Sequence, residues 1–398
     1  MNYRKVKLSD IGRIVSGATP KTKDPDNYDG DIAWITPADL SNYNEKYISH
    51  GARSITQKGY DSCSTQLMPK GTVLFSSRAP IGYVAIAENA LCTNQGFKSI
   101  IPGNDIDSEF LYYQLKYLKK EIQEKGSGTT FKEISAKTLG EVFVTVPPLD
   151  EQSRIVACIE ELFSELDKAV DTLKTTKEQL EVYRQAVLVD IFSQEYPLRQ
   201  LKEISVALSG FAFKSKNYTP DGKYTVIKIG NVKDGYLDFS RDKTRTNEVT
   251  DKILQKYLLK QGDCLITLTG TRGKRDYGFV SMIERQTDYL LNQRVAALRF
   301  DTMIALPEFF RYYLSSLNYR NQFFKYETGN VGQGNVGIKA LCEPAVPCPP
   351  LDTQKKIVDQ ISDRLSVCDS IEKTVDTALA QADAMRQSIL KQAFEEKD

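Results

Sequence analysis

A cluster of side chains able to bind a polyanion lies in residues 269–278, which read TGTRGKRDYG. Arg272, Lys274 and Arg275 are interspersed there with glycines, beside Thr271, after an apolar stretch with strand character. Arginine and lysine neutralise phosphates and donate to guanine edges, so this composition suits a nucleic-acid contact. The alternative is a solvated hairpin tip that binds nothing.

Weaker candidates of the same kind lie elsewhere in the chain. Ser77 and Arg78 follow a predicted strand in the first half and hold the place that matches the cluster above. Two turn-rich segments carry lysines that suit phosphate contacts, which fix register on DNA without reading its sequence. These lysines are Lys21, Lys23, Lys214 and Lys216.

The residue types needed for catalysis are sparse. The chain has a single histidine, His50, which excludes His-pair metal sites and is better interpreted as a solvated loop residue. There is neither a GxxxxGK[ST] phosphate loop nor the Asn/Asp-Pro-Pro-Tyr/Phe motif of adenine methyltransferases. Residues 332–337 spell GxGxxG without a preceding strand of a βαβ unit, so a turn or a close backbone approach to DNA is favoured over a dinucleotide site. We therefore expect no catalytic residue, no metal site and no cofactor in this chain.

The elements that must position these residues belong to a chain of 398 residues, enough for two or three domains with real cores. Its 41% hydrophobic and 26% charged content is ordinary. No apolar run reaches the length of a membrane span, and the N-terminus lacks the apolar core of a signal peptide. Seven cysteines without a CxxC pair favour a reducing compartment. We therefore expect a cytoplasmic protein without a membrane partner.

A net charge of +1 conceals a segregation of charge along the chain. Residues 149–195 and 351–398 together hold 21 acidic against 12 basic side chains, whereas the rest holds 41 basic against 31 acidic. A basic remainder suits a polyanion-binding surface. The alternative is that helices generally collect glutamate and loops collect lysine.

Two copies of one helical pattern organise the chain. PPLDEQ at 147–152 and PPLDTQ at 349–354 each open a long stretch without Pro or Gly that ends at Phe192 or Phe394. Apolar residues recur there at spacings of three, four or seven, which is typical of a coiled-coil seam. A helix of this length, about 65 Å, cannot bury its own stripe. We therefore expect the two helices to pack on each other antiparallel, although two unrelated surface helices would carry the same pattern.

The start of each helix is predicted from its prolines. A second proline biases the residue before it away from the α region and ends the preceding element. Asp150 and Asp352 are then the predicted N-caps, where a carboxylate accepts the free N–H groups of the first turn.

The segments outside the helices repeat one plan of strands, turns and a tyrosine-rich helix. Residues 8–17 match 201–210, and residues 134–141 match 336–343, while loop lengths and loop residues differ. Divergent loops on a shared scaffold are expected where loops carry binding. The predicted boundaries are 1–148 and 196–350 for two mixed α/β domains, and 149–195 and 351–398 for two long spacer helices.

In this arrangement the chain resembles the specificity subunits of type I restriction-modification systems over essentially its whole length. The resemblance rests on the two PPL[DE]xQ helix openings, on FSSRAPIG at 75–82, on GSGTT at 126–130 and on the two-fold repeat. It implies an α+β fold with two mixed α/β target recognition domains in pseudo-two-fold tandem, separated by two long helices packed as an antiparallel coiled coil.

The resemblance also implies function and partners. Such a subunit is not catalytic: it binds double-stranded DNA, reads a split target and docks two modification subunits, which methylate adenine at N6, and restriction subunits. S-adenosylmethionine, ATP and Mg would be used by those other subunits. The competing hypothesis is a coiled-coil scaffold that binds proteins and never reads DNA.

Two further repeats receive a structural interpretation. Asn94-Gln95 recurs as Asn292-Gln293, and readers of different half-sites should differ at base-reading positions. The tyrosine pairs at 112–113 and 312–313 are predicted to lie in the core rather than to stack on bases.

Overall fold

The computed structural model describes residues 3–128, 132–330 and 332–395. Their packing defines two compact units, unit 1 (Met1–Leu173 with Thr377–Asp398) and unit 2 (Lys174–Asp376). Each unit is therefore built from a globular part and from portions of two long helices. In the described residues, no helix combines the length and the hydropathy that crossing a membrane requires.

Unit 1 contains two mixed sheets and several short helices. Its strands are β1 (Arg4–Lys7), β2 (Gly12–Ser16), β3 (Tyr28–Ile35), β4 (Tyr47–Ile48), β5 (Arg53–Ile55), β6 (Val73–Ser77), β7 (Ile81–Ala87), β8 (Cys92–Thr93), β9 (Lys98–Pro102) and β10 (Phe143–Val146). Its helices are α1 (Leu8–Ile11), α2 (Gln57–Asp61), α3 (Ser108–Tyr117), α4 (Lys119–Glu124), α5 (Ala136–Gly140) and the first part of α6 (Leu149–Phe192). The larger sheet has the order β2-β9-β6-β7-β4, the smaller one β5-β3-β8, and β1 pairs with β10.

Unit 2 repeats this topology. Its strands are β11 (Leu198–Gln200), β12 (Ser205–Ser209), β13 (Tyr224–Ile227), β14 (Arg245–Thr246), β15 (Cys264–Thr267), β16 (Thr269–Gly270), β17 (Val280–Met282), β18 (Tyr289–Leu291), β19 (Val295–Phe300), β20 (Gly334–Asn335) and β21 (Ala345–Pro347). Its helices are α7 (Leu201–Ile204), α8 (Asp251–Tyr257), α9 (Pro307–Ser315), α10 (Leu317–Phe323), α11 (Ile338–Leu341) and the first part of α12 (Leu351–Phe394). The order β12-β19-β15-β17 matches β2-β9-β6-β7, and β14-β13-β18 matches β5-β3-β8. The parallel pair β13–β18 corresponds to the parallel pair β3–β8.

Each long helix ends in an aromatic cluster, α12 in unit 1 and α6 in unit 2. In unit 1, Phe394 packs edge-on against Phe110 of α3 at 5.4 Å between ring centroids. In unit 2, Phe192 packs in the same way against Phe309 and Tyr313 of α9, at 5.4 and 5.1 Å. The tyrosines predicted as core are buried at Tyr112, Tyr113 and Tyr313, and partly buried at Tyr312.

Within each unit α6 and α12 pack together antiparallel, as predicted. As residue numbers rise along α6, those of the ion-paired partners fall along α12. The pairs are Arg386 with Asp167 in unit 1, and Lys177 with Asp376 (2.7 Å), Arg184 with Asp369 (2.7 Å) and Arg364 with Asp190 (3.1 Å) in unit 2. The buried seam of α12 repeats every seven residues, at Ile361, Cys368, Val375 and Ala382.

The predicted N-caps are wrong by two positions. Asp150 and Asp352 lie inside the first turn, because α6 and α12 begin one residue before them. The carbonyl of Pro148 instead accepts the N–H groups of Glu151 and Gln152, both at 3.0 Å. Proline suits this position because only its carbonyl is needed by the helix that follows.

The glutamine of each PPL[DE]xQ opening anchors its helix to its own unit. Gln152 is fully buried in unit 1. Its Nε2 donates to the carbonyls of Asp105 (3.0 Å) and Pro147 (2.8 Å), and its Oε1 accepts from the N–H of Asp107 (2.8 Å). The residues before α3 are thereby fixed to the start of α6.

Gln354 makes the same three bonds in unit 2 and is also fully buried. It donates to the carbonyls of Ile304 (2.8 Å) and Pro349 (2.7 Å) and accepts from the N–H of Leu306 (2.7 Å). Since a buried polar side chain costs free energy unless it is satisfied, this motif is a structural element of both halves.

Candidate nucleic-acid interface

Three loops of unit 2 leave the larger sheet at one end. Ser209, the last residue of β12, pairs with Ala296 near the start of β19, and Thr267 at the end of β15 pairs with Val295. The segments 210–217, 268–278 and 292–294 therefore lie at the same end of the sheet. We call this set the loop edge of unit 2.

The loop edge of unit 2 brings together candidate residues that lie in separate segments of the sequence. Its exposed cations are Lys214, Lys216, Arg272, Lys274 and Arg275, and Thr271 beside them is partly exposed. Within the described residues none of these cations is ion-paired with a carboxylate. Unpaired cations on neighbouring loops form a surface suited to a polyanion.

The loop 271–276 is held by hydrogen bonds in which one partner is uncharged, and not by ion pairs. Asp276 accepts from the N–H of Thr271 at 2.7 Å, and the Thr271 side-chain hydrogen bond lowers the pKa of Asp276. Arg272 donates to the carbonyl of Gly329 at 2.8 Å, and Arg275 donates to Asn321 Oδ1 at 2.9 Å. The loop is therefore ordered, while its guanidinium charges remain available.

Glu327 is a carboxylate outside this loop that accepts hydrogen bonds from it. It accepts from the Tyr277 hydroxyl at 2.8 Å and from the N–H of Gly273 at 3.2 Å. Burial and this carboxylate raise the pKa of Tyr277, so the phenol remains a donor. Glu327 is thus occupied by neutral donors and supports the loop conformation.

An aromatic hollow adjoins the lysines of segment 210–217. Phe211 and Phe213, with ring centroids 5.0 Å apart, line a space of about 460 Å³ together with Lys214 and Lys216. In proteins that bind single-stranded nucleic acids, such aromatic faces stack on bases beside cations that contact phosphates.

Unit 1 has the equivalent loop edge. Ser16 at the end of β2 pairs with Lys98 at the start of β9, and β6 ends beside the same strand. The segments 17–23, 78–80 and 94–97 therefore lie at one end of the sheet, and we call them the loop edge of unit 1. Lys21 and Lys23 are exposed there.

The other two predicted residues of unit 1 have partners. Ser77 is fully buried, and its Oγ donates to the carbonyl of Gly96 at 3.1 Å, so it supports the strand from inside the sheet. Arg78 is half-exposed, with its Nη1 3.7 Å from Glu133 Oε2, while Lys98 lies 3.6 Å from the other oxygen of Glu133.

The repeated Asn-Gln pairs lie at the centre of both edges. Asn94 Oδ1 accepts from the N–H of Gly96 and Asn292 Oδ1 from that of Gln293, each at 2.8 Å. A Cβ on Gly210 would lie 1.9 Å from the Asn292 carbonyl oxygen, so glycine is required where segment 210–217 crosses this turn. These contacts agree with the structural interpretation of the asparagines.

One exposed cation of this edge is absent from the predicted set. Arg294 follows the second Asn-Gln pair, is exposed, and has a left-handed backbone with φ of 72°. Its sequence signal was its position directly after a repeated motif, at a place where the two halves differ.

The surroundings of the remaining candidates do not indicate a catalytic, dinucleotide or metal site among the described residues. His50 is exposed in a loop. The GxGxxG segment includes β20, which pairs antiparallel with β16 and so forms part of the loop-edge region rather than a βαβ unit. In the part of the chain that the structure describes, no group of three or more His, Cys, Asp or Glu side chains is arranged to hold a metal ion. Thr129 and Thr130 of the GSGTT motif lie outside the described residues.

Comparison with known proteins identifies the family of both halves. Residues 1–182 and 194–381 each match the family described as the type I restriction modification DNA specificity domain. The chain is 45% identical over 177 residues to the type I restriction enzyme MjaIX specificity subunit of Methanocaldococcus jannaschii, covering 44% of this chain and 40% of that protein. The alignment thus spans less than half of that relative.

Other similarities extend over more of the chain. The type I restriction enzyme EcoBI specificity subunit of Escherichia coli is 23% identical over 336 residues, which cover 77% of this chain and 69% of that one. A chain from a structure concerned with complex assembly and conformational transition of the type I R-M system superimposes with a TM-score of 0.72 at 18% identity, over 100% of this chain and 98% of that one. At this identity the superposition establishes the fold.

Proposed function

The chain belongs to the type I restriction-modification DNA specificity family, and on that premise we propose that it reads a bipartite DNA target and assembles the modification and restriction complex. One observation carries the proposal. The same sheet order occurs twice, and each copy ends in a loop edge with its own set of exposed basic side chains. Two such edges in one chain suit recognition of two different half-sites.

Residues 1–148 and 196–350 are the proposed target recognition domains, with spacers at 149–195 and 351–398. The proposed DNA-facing side chains are the exposed cations of the two edges and the half-exposed Arg78, with Thr271 beside them. They are Lys21, Lys23, Arg78, Lys214, Lys216, Arg272, Lys274 and Arg275. Ser77, which was predicted with them, supports this surface from beneath.

The lysines and arginines differ in what they can recognise. Lysine is a flexible point charge suited to phosphates, whereas the planar guanidinium of arginine can donate two parallel bonds to guanine. Arginines at the edges are therefore the stronger candidates for base contacts, and lysines for register.

The catalytic steps belong, in this proposal, to partner subunits. Two modification subunits would transfer the methyl group of S-adenosylmethionine to adenine N6, and restriction subunits would use ATP and Mg. The chain itself would supply target choice and docking surfaces in the cytoplasm.

A genome-wide map of N6-methyladenine in the host, with and without this gene, tests the proposal. Loss of one split motif on deletion, restored by the gene in trans, is the expected result. An unchanged map, together with salt-insensitive DNA binding by the chain purified with its partner subunits, would favour the scaffold alternative.

A further inference from the structure

Arg294 in unit 2 and Gly96 in unit 1 hold equivalent backbone positions. The N–H of Leu268 donates to the Arg294 carbonyl at 2.9 Å, as the N–H of Ser77 does to the Gly96 carbonyl at 2.7 Å. An Asn-Gln pair precedes both residues. The backbone hydrogen bond at this point is therefore shared, whereas the side chain and the backbone conformation differ, because Arg294 is left-handed and Gly96 is not.

The arginine is kept at a position that disfavours it. Its φ of 72° lies in the left-handed region, which glycine adopts freely and which is costly for a long side chain. Residues held in this way cluster at ligand-binding sites, where the surrounding structure maintains them. Packing does not account for the choice, because the side chain of Arg294 is exposed.

The surroundings of Arg294 point to a ligand outside the chain. It lies on the central turn of the loop edge, flanked by segment 210–217 on one side and segment 268–278 on the other. Within the described residues its guanidinium makes no ion pair with a carboxylate. Both flanking segments carry exposed lysines and arginines of the proposed interface.

We propose that Arg294 is a specificity-determining residue that donates to a guanine edge in the half-site read by unit 2. This inference rests on the proposed function. Bidentate donation to guanine O6 and N7 is the recognition mode for which a guanidinium is best suited. Gly96 has no side chain to do this, so unit 1 has no corresponding reader at that point of its half-site.

The test is the methylation motif of the complex carrying Arg294→Gly. Glycine removes the guanidinium and relieves the left-handed strain, so this variant is expected to fold at least as well as the parent. Lys202→Ala is the matched control, because Lys202 is an exposed cation of α7, which precedes β12 at the opposite end of the same sheet. Each variant replaces the parent gene with its partner subunits present, and N6-methyladenine is mapped across the genome.

The expected result is relaxation at one guanine position of one half-site in Arg294→Gly, with the other half-site unchanged. Duplexes carrying the mapped motif should then show discrimination at that position reduced roughly 5- to 140-fold, the range that one bidentate contact provides. Lys202→Ala should retain the parent motif.

Three outcomes would overturn the inference: an unchanged motif, relaxation in both half-sites, or a uniform loss of affinity across all positions. The last would make Arg294 a phosphate contact. Failure of the proposed function is distinguishable, because the parent complex would then yield no split motif that depends on the gene.

Discussion

The two loop edges share their strand order and bridge pairings but differ in whether a carboxylate pairs with their cations. In unit 1, Glu133 lies beside the end of β6, with Arg78 and Lys98 within 3.7 Å of its oxygens. In unit 2 the corresponding residue of the bridge is Asn335, whose Oδ1 accepts from the Thr269 hydroxyl at 3.1 Å. A carboxylate that neutralises cations in one half is thus replaced by a neutral amide in the other. The duplication preserves hydrogen-bonded geometry, and the charge at the edge changes freely.

The reverse contrast appears at the opposite end of the sheets, where unit 2 has the ion pair and unit 1 a neutral group. Asp263 is buried and binds Arg299 through two bonds of 2.8 and 2.7 Å while also accepting from the N–H of Lys260. At the matching place of unit 1, Thr72 donates to the carbonyl of Pro69, a residue with no N–H to satisfy. One turn is therefore completed by an ion pair and the other by a hydroxyl.

The comparison predicts that the buried glutamines are energetically equivalent. Gln152→Leu and Gln354→Leu are each expected to lower the free energy of unfolding of their own unit by about 4 kcal/mol, since each leaves two carbonyls and one N–H buried without partners. Chemical denaturation measures the loss, and hydrogen exchange assigns it to a unit.

Gln360→Leu controls for the leucine itself, because Gln360 is exposed on α12. Its effect is expected within about 0.5 kcal/mol of zero. A loss below about 1 kcal/mol for either buried glutamine would show that the two helix openings are alike in sequence but not in energetic role.

The turns at Asp263 and Thr72 can be compared by introducing the residues of the unit 1 turn into unit 2. Asp263→Ala is expected to destabilise unit 2 by about 3 kcal/mol, because it leaves the Arg299 charge and the Lys260 N–H without their acceptor. The double change Asp263→Thr with Arg299→Ile copies Thr72 and Ile101, which hold the equivalent positions of unit 1. It is expected to recover at least half of that loss. Denaturation midpoints of the single and double variants provide the measurement, and a double variant no better than Asp263→Ala would refute the equivalence.

The sequence predicted the scaffold better than the site. Spacing and proline pairs located both long helices, because helical periodicity is a local property. The N-caps were missed because an aspartate after two prolines suits both the cap and the first turn. The loop edges depend on pairings such as Ser16 with Lys98, which no local pattern specifies. Arg294 was missed for a related reason, since its left-handed backbone and its hydrogen bond from Leu268, directly after β15, are tertiary facts.

Loop-edge cations that form no ion pair among the described residues of unit 2 are expected to dominate salt-sensitive DNA binding. Combining Arg272→Ala with Lys274→Ala should weaken binding of the complex to its mapped site by about 10-fold at moderate salt and lower the salt slope by about 2, if both contact phosphates. Fluorescence anisotropy over a salt series measures both quantities. If Arg272 reads a base, the loss is confined to one position of the half-site, and unchanged binding would remove this loop from the interface.

Removing the carboxylate that pairs with the cations of unit 1 has the smallest expected effect. It is also the most direct test of the difference between the two loop edges. Glu133→Gln keeps the shape of the side chain and removes the charge between Arg78 and Lys98, making this edge resemble that of unit 2 at Asn335. Exposed pairs of this kind are worth at most about 1 kcal/mol, so affinity is expected to rise only about two- to three-fold, with a steeper salt slope.

Glu141→Gln is the control, because Glu141 pairs with Lys7, which precedes α1 at the other end of the sheet, and its change in net charge is identical. An equal gain from both variants would mean that net charge alone governs binding, whereas a gain from Glu133→Gln alone would locate the DNA at the loop edge.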